Sequence, residues 1–128
     1  VDRVKDTAVL EAAYNDAAGV TAQFNRNILV HLNRVLNGDF NPEAFEHRAP
    51  WVSEASRIEM HLVSKKDQCV NLAGERLSFP KDQVVLTEFS HKYTVEAFAE
   101  LAAESGLGVA RVWSDPAEYF SVLYLEPA

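Results

Sequence analysis

Apolar and polar positions follow three successive patterns along this chain. Between residues 6 and 36, apolar side chains recur every three to four positions: Val20, Phe24, Ile28, Leu32 and Leu36 form a stripe that Leu29 and Val35 widen. That spacing predicts an amphipathic helix packed along the stripe. Asp6 or Thr7 caps its start, because a short side-chain oxygen satisfies an orphan backbone N–H. Gly19 divides the run into a short and a long helix. Asn37-Gly38 closes it, glycine being the residue that accepts a left-handed C-cap. Asn41-Pro42 predicts a cap with proline at the first helical position, opening one turn through Phe45.

From about residue 46 the period drops to two. Ile58, Met60 and Leu62 alternate with Glu59 and His61, which predicts a strand with one buried face. Short strand-like runs near 67–72 and 76–79 flank Ala73-Gly74. On a further strand, strict alternation puts Val84, Leu86, Glu88 and Ser90 on one face and Val85, Thr87 and Phe89 on the other. The connections are too short for crossovers, so this section reads as an antiparallel meander. After residue 93, Thr94 caps a helix (VEAFAELAAES) that Gly106 stops. GVARVWS and YFSVLYLE then flank a turn at Ser114-Asp115-Pro116. The expected fold class is α+β: N-terminal helices packed on an antiparallel sheet, then a helix and a β-hairpin. Isolated, residues 94–126 would expose apolar surface such as Trp113 and Phe120, and the chain is expected to pair with a second copy through the open sheet edge.

Composition narrows the partners. The 128 residues are 48% hydrophobic and 24% charged with a net charge of −7, an ordinary globular balance. Such a surface repels phosphate backbones, which argues against nucleic acid. No apolar run reaches the roughly 18–20 residues that span a bilayer, so no membrane partner is expected. The start, VDRVKDTAVL, lacks the apolar core of a signal peptide. The single cysteine, Cys69, has no partner for a disulfide, and no Asn-x-Ser/Thr sequon occurs. Both favour a reducing, cytoplasmic setting.

Several chemistries find no residues. A dinucleotide or S-adenosylmethionine cradle needs a glycine-rich turn between a strand and a helix. None of Gly19, Gly38, Gly74, Gly106 and Gly108 sits in such a turn. His31, His47, His61 and His91 lack metal-ligand spacing, so no metal is expected, and no nucleophile-base pair stands out. No catalytic residue is assigned.

Four residues carry candidate binding chemistry. Glu88 and Ser90, two apart on a strand, point the same way. A carboxylate there either reaches solvent or pairs with Lys92 or an arginine, or it accepts an N–H from a ligand, with Ser90 as a second contact. Met60 is either core packing or an adaptable apolar wall beside an aromatic ligand. Tyr14 either lies half-exposed on its helix or gives its hydroxyl a polar partner. Asn15, Asp16, Asn25 and Asn27 are unusually polar for helix faces, and Asn25 and Asn27 are too far apart in angle to serve one site.

These pieces resemble a family. YNDAAGVTAQFNRNIL with HLN, FEHRA, RIEMHLVS, LTEFSHKYT, GVARVWSDP and FSVLYLE are similar in order and spacing to the histidine-specific methyltransferases of ergothioneine biosynthesis, from about residue 6 to 126. The resemblance implies that residues 1–92 form a substrate-binding domain. Residues 93–128 would be the helix and last two strands of a Rossmann-like methyltransferase domain. It implies S-adenosylmethionine as cofactor of a longer enzyme and L-histidine as the small-molecule substrate, methylated on its α-amine. Tyr14 resembles the tyrosine at the substrate's amino-acid end, Met60 the apolar residue beside its ring, and Glu88 and Ser90 the groups that bind imidazole. The family's cofactor glycines have no counterpart here, so this chain alone is expected to be inactive and to bind no S-adenosylmethionine. The rival readings are a stand-alone amino-acid-binding module and an interaction domain.

Overall fold

Short polar side chains fix the helix ends. In the computed structural model, which describes residues 1–128, α1 spans Thr7–Tyr14 and α2 spans Val20–Leu36. Asp6 caps α1 by accepting the Ala8 N–H at 2.9 Å. The break between the helices falls at Gly19, whose φ of 73° is left-handed. Asp16 caps α2 from the connecting loop, accepting the N–H groups of Val20 and Thr21, each at 2.9 Å. At the far end the left-handed residue is Asn37, with φ 50°, and not Gly38. Gly38 is there for space: a Cβ would come within 2.8 Å of Asn33 Oδ1 and of Leu72 Cδ1. Asn41 caps the single turn Pro42–Ala44 through the Glu43 N–H, as its sequence predicts.

The strands are β1 (Phe45–Arg48), β2 (Trp51–Val52), β3 (Arg57–Ser64), β4 (Gln68–Leu72), β5 (Glu75–Phe79), β6 (Val84–His91), β7 (Leu107–Ser114) and β8 (Ser121–Pro127), with α3 (Val95–Glu104) before β7. The β3 strand is the centre of the main sheet. It pairs antiparallel with β1 and β2 along one edge and with β6 along the other. Ile58, Met60 and Leu62 on β3 are buried, as their alternation predicts. The strands β4 and β5 form a hairpin turned by Ala73 and Gly74, both with positive φ. The fold class is thus α+β with antiparallel sheets.

Leu29 of α2 joins Phe40, Ala44, Phe45, Leu62 and Val70 in the main core. The rings of Phe40, Phe45 and Phe79 meet edge-on or tilted at 5.6–6.0 Å, the geometry that aromatic quadrupoles prefer. The expected helical stripe is corrected here. The buried positions of α2 are Asn25 and Leu29, whereas Val20 and Phe24 are 65% and 63% exposed. Asn25 is hydrogen-bonded to the sheet and faces it, and Val20, Phe24 and Ile28 lie on the flank.

Beyond residue 93, α3 starts at Thr94, whose hydroxyl accepts the Ala97 N–H, and β7 pairs with β8. Residues 1–4 run between the two halves. Tyr93 N–H donates to the Asp2 carbonyl, Arg3 N–H to the Tyr119 carbonyl and Ser121 N–H to the Val1 carbonyl, all at 3.0 Å. Trp113 and Phe120 are exposed, as anticipated.

Candidate functional site

The site is made by an irregularity in the sheet. In the β3–β6 ladder, Met60 opposes Glu88 but His61 opposes Leu86, so Thr87 is an extra residue. This is a β-bulge, which re-aims the side chains beyond it. Residues directly opposite in an antiparallel pair share a face. Glu88, opposite Met60, and Ser90, opposite buried Ile58, therefore stand on the same face as Met60 and Ile58, Ser90 half-buried and Glu88 exposed beside α2. Val84 and Leu86 are exposed on the other side of the bulge. The expectation that Val84, Leu86, Glu88 and Ser90 share a face is corrected by this one inserted residue. Val85, at the far end of the strand, packs against the main core.

The bulge is pinned from α2. Thr87 Oγ1 donates to Asn25 Oδ1 at 2.5 Å. Asn25, 3% exposed, donates through Nδ2 to His47 Nδ1 at 2.9 Å and to the His61 carbonyl at 3.1 Å. With Nδ1 accepting, the His47 proton sits on Nε2, which donates to the Tyr14 carbonyl at 2.7 Å. One chain of bonds thus links the bulge, α2, β1 and the end of α1. Asn15 reinforces the end of α1 by exchanging two bonds with the Ala49 backbone, at 2.9 and 3.0 Å. The unusual polarity of Asn15, Asp16 and Asn25 is explained by backbone clamps and caps.

Tyr14 and Ser90 meet: their hydroxyl oxygens are 2.7 Å apart. A residue offered by the sequence only as an ion partner for Glu88 joins them. Lys92, only 2% exposed, donates to Tyr14 Oη at 2.7 Å and to Ser90 Oγ at 2.6 Å. Its third partner is Asp2 Oδ2 at 2.9 Å. Burial acts to raise the Asp2 pKa, but hydrogen bonds and charge from Lys5 and Lys92 outweigh it and hold the carboxyl below its usual range. The signal for Lys92 was its spacing, two positions beyond Ser90 and four beyond Glu88, on the same side of an extended chain.

Glu88 lines a groove of about 230 Å³ between β6 and α2, with Asn25, Asn27, Ile28 and His31 among its walls. Asn25 and Asn27 thus border one groove despite their angular separation, Asn25 from its floor. Glu88 forms no ion pair; Lys92 is committed to Asp2 instead. Met60 is 2% exposed and lies beside Glu88 across the ladder, so its side chain is buried beneath the site in this chain. A second cavity of about 240 Å³ shares Ile28 and Thr87 with the groove and is otherwise walled by apolar residues including Phe40, Phe79 and Leu86.

The residues present do not form a cofactor cradle. Gly19 starts a helix from a loop, Gly74 turns a hairpin and Gly106 ends α3, and Gly38 follows α2. None gives the strand-to-helix turn that brings backbone N–H groups onto a nucleotide. No cluster of three or more His, Cys, Asp or Glu side chains could hold a metal ion, and no helix is long and apolar enough to cross a membrane.

Comparison with known proteins agrees with the resemblance read from the sequence. The family model for histidine-specific, SAM-dependent methyltransferases matches residues 1–127. The chain is 46% identical over 123 residues to the histidine N-alpha-methyltransferase of Mycolicibacterium smegmatis, covering 94% of this chain and 38% of that protein. It is 43% identical over the same length to the histidine N-alpha-methyltransferase of Mycobacterium tuberculosis, with the same coverage. It is 31% identical over 129 residues to the L-tryptophan methyltransferase trpM of Psilocybe serbica, covering 98% of this chain and 36% of that protein. The chain therefore spans less than two-fifths of the length of these relatives. With the family model matching nearly every residue, the chain belongs to the histidine-specific, SAM-dependent methyltransferase family.

Proposed function

We propose that these residues are the substrate-gripping part of an enzyme that methylates the α-amine of L-histidine. The observation that carries this reading is Glu88: an exposed carboxylate without an ion pair that lines a groove beside α2, with Met60 opposite it across the ladder and Ser90, bonded to Tyr14, two positions along the strand. A ring that donates N–H and fits beside apolar surface suits that arrangement. In this reading Glu88 and Ser90 bind the imidazole, Met60 backs the ring and Tyr14 holds the amino-acid end. These groups orient the substrate, and such positioning is a large part of what a transfer enzyme supplies.

Residues 1–92 would be the substrate domain and residues 93–128 the end of the methyltransferase domain. S-adenosylmethionine would supply the methyl group from residues outside this chain. The chain alone should take up no cofactor, and a micromolar isotherm in calorimetric titration would refute that. The expected setting is a cytoplasmic step of ergothioneine biosynthesis. The unpaired, exposed Cys69 fits a reducing compartment.

The experiment is kcat/KM for histidine and tryptophan in the complete enzyme, before and after Glu88→Ala. Loss of a hydrogen bond to a charged group costs about 1.5–3 kcal/mol, or roughly ten- to 150-fold for histidine. Tryptophan should lose little or gain, more so when Met60→Val is added to make room. An unchanged histidine-to-tryptophan ratio would remove the pocket assignment.

A further inference from the structure

Two backbone carbonyls fix the direction of every hydrogen bond around the bulge at Thr87. A carbonyl only accepts, and an amide nitrogen only donates. The His61 carbonyl, 3.1 Å from Asn25 Nδ2, therefore orients the Asn25 amide. Oδ1 is left facing Thr87, 2.5 Å from its hydroxyl oxygen. The single Thr87 hydroxyl proton has a second, longer contact, 3.0 Å to the Met60 carbonyl. The other Nδ2 proton of Asn25 goes to His47 Nδ1 at 2.9 Å. A neutral imidazole has one donor and one acceptor, so the His47 proton is on Nε2 and goes to the Tyr14 carbonyl at 2.7 Å. Asn25 is 3% exposed, so bulk water does not replace a bond lost there.

Resting on the substrate reading above, we propose that Asn25 and Thr87 are positioning residues that aim the Glu88 carboxylate by locking the bulge one residue before it. All three residues line the same groove. No ion pair holds Glu88, so the backbone beneath it sets where its carboxylate stands. Residues 84–86 and 88–91 are paired with β3 on either side of Thr87. The pairing alone does not say which residue between them is left out, because an extra residue can be taken up at neighbouring positions. Moving the bulge one position toward His91 would set Thr87 opposite Met60 and make Glu88 the unpaired residue. The Thr87 hydroxyl opposes that shift, since it is tied to α2 through Asn25 and to β3 through the Met60 carbonyl. His47 supports Asn25 from β1 and is itself anchored at the end of α1.

The test is a double-mutant cycle in the complete enzyme, which separates action through Glu88 from a general structural effect. The rate constant kcat/KM for histidine is measured in wild type, Thr87→Val, Glu88→Ala and the pair, and in Asn25→Ala with and without Glu88→Ala. Thr87→Val keeps the shape and loses the O–H, and should lower kcat/KM about three- to tenfold, the size of a lost neutral hydrogen bond. Thr87→Ser restores the O–H and should recover most of that loss. In the Glu88→Ala background, Thr87→Val and Asn25→Ala should each cost less than about twofold more, because the group they aim is gone. The nitrogen spectrum of the wild-type protein should show His47 protonated on Nε2. Equal losses with and without Glu88, a serine variant as poor as the valine one, a harmless Thr87→Val, or a His47 ring protonated on Nδ1 would each overturn the proposal. Should Asn25→Ala not fold, the Thr87 cycle decides. Should Thr87→Val not fold, Thr87→Ala takes its place with the same expectations. If Glu88→Ala leaves histidine use unchanged, the substrate reading falls and this role with it. If Glu88→Ala is costly and the losses are additive, only the positioning role falls.

Discussion

Residues 1–92 and 93–128 are both rich in apolar side chains, yet they bury them very differently. Of the 16 buried residues, only Ala102 and Ser121 lie beyond residue 93. In the first part, two helices cover one face of a sheet, and three phenylalanines interlock beneath them. In the second, a helix leans on a two-stranded hairpin, and Trp113, Phe120, Val122 and Tyr124 are 52–66% exposed. A lone hairpin has too little second layer to bury its apolar face. Both parts leave large apolar side chains exposed, Val20 and Phe24 in the first at 65% and 63%, but only the first has an interlocked core beneath them.

Substitutions should register that contrast most strongly in thermodynamic stability. Leu62, fully buried at the junction of β3 with the phenylalanine cluster, should cost about 2–5 kcal/mol as Leu62→Ala, through lost transfer energy and a cavity. Trp113→Ala should cost less than about 1 kcal/mol in this chain, because an exposed ring has little burial to lose. Urea denaturation of the two variants measures the difference. Equal costs would mean that the hairpin is as well packed as the sheet, and the division into two unequal parts would fall.

Association should reveal the same surface from the other side. The open edge of β7 and the exposed rings next to it invite pairing with a second copy. Light scattering of this chain at rising concentration should show a dimer that Val122→Lys and Trp113→Lys together disperse, with the first part still folded. A strict monomer at high concentration would refute this.

A smaller effect is expected in acid. The Thr21 N–H, then the Val20 N–H, hold the Asp16 carboxylate down to about 2, below its ordinary 3.8. A lowered carboxylate pKa contributes stability that is complete above the unfolded value and lost as pH falls through the folded one. Protection of the Val20 and Thr21 amides against exchange, taken relative to the unstructured rate at each pH, should therefore fall between about pH 4 and pH 2. Asp16→Asn, which can still cap but cannot titrate there, should flatten that limb. An identical acid limb in the variant would assign it to another group; Asp39 and Asp115 are also held low by backbone and side-chain bonds.

The elements were largely legible because their signals are local. Asp6, Gly19, Asn41, Thr94 and Gly106 act within a few residues of themselves, and each acts where its chemistry predicts. Misreadings came where two elements meet. The stripe through Val20, Phe24 and Ile28 looked like the packing face of α2, but Asn25, bonded to three strands of the sheet, faces it instead. Asn37 took the left-handed conformation assigned to Gly38, because the crowding against Asn33 and Leu72 that requires a glycine comes partly from a hairpin more than 30 residues away.

By itself the sequence determined the fold class, the order of the elements and the family, because caps, periodicity and extended motifs are properties of neighbouring residues. It also nominated Tyr14, Met60, Glu88 and Ser90. Only the tertiary structure decided how they stand together. Period-two reasoning has no term for an inserted residue, and the bulge at Thr87 alone puts Glu88 and Ser90 on the face of Met60 and Ile58. Nor does a sequence show that a lysine at the end of β6 is buried. Lys92 can be buried because Asp2, 90 positions earlier, is brought to it through backbone bonds and compensates its charge.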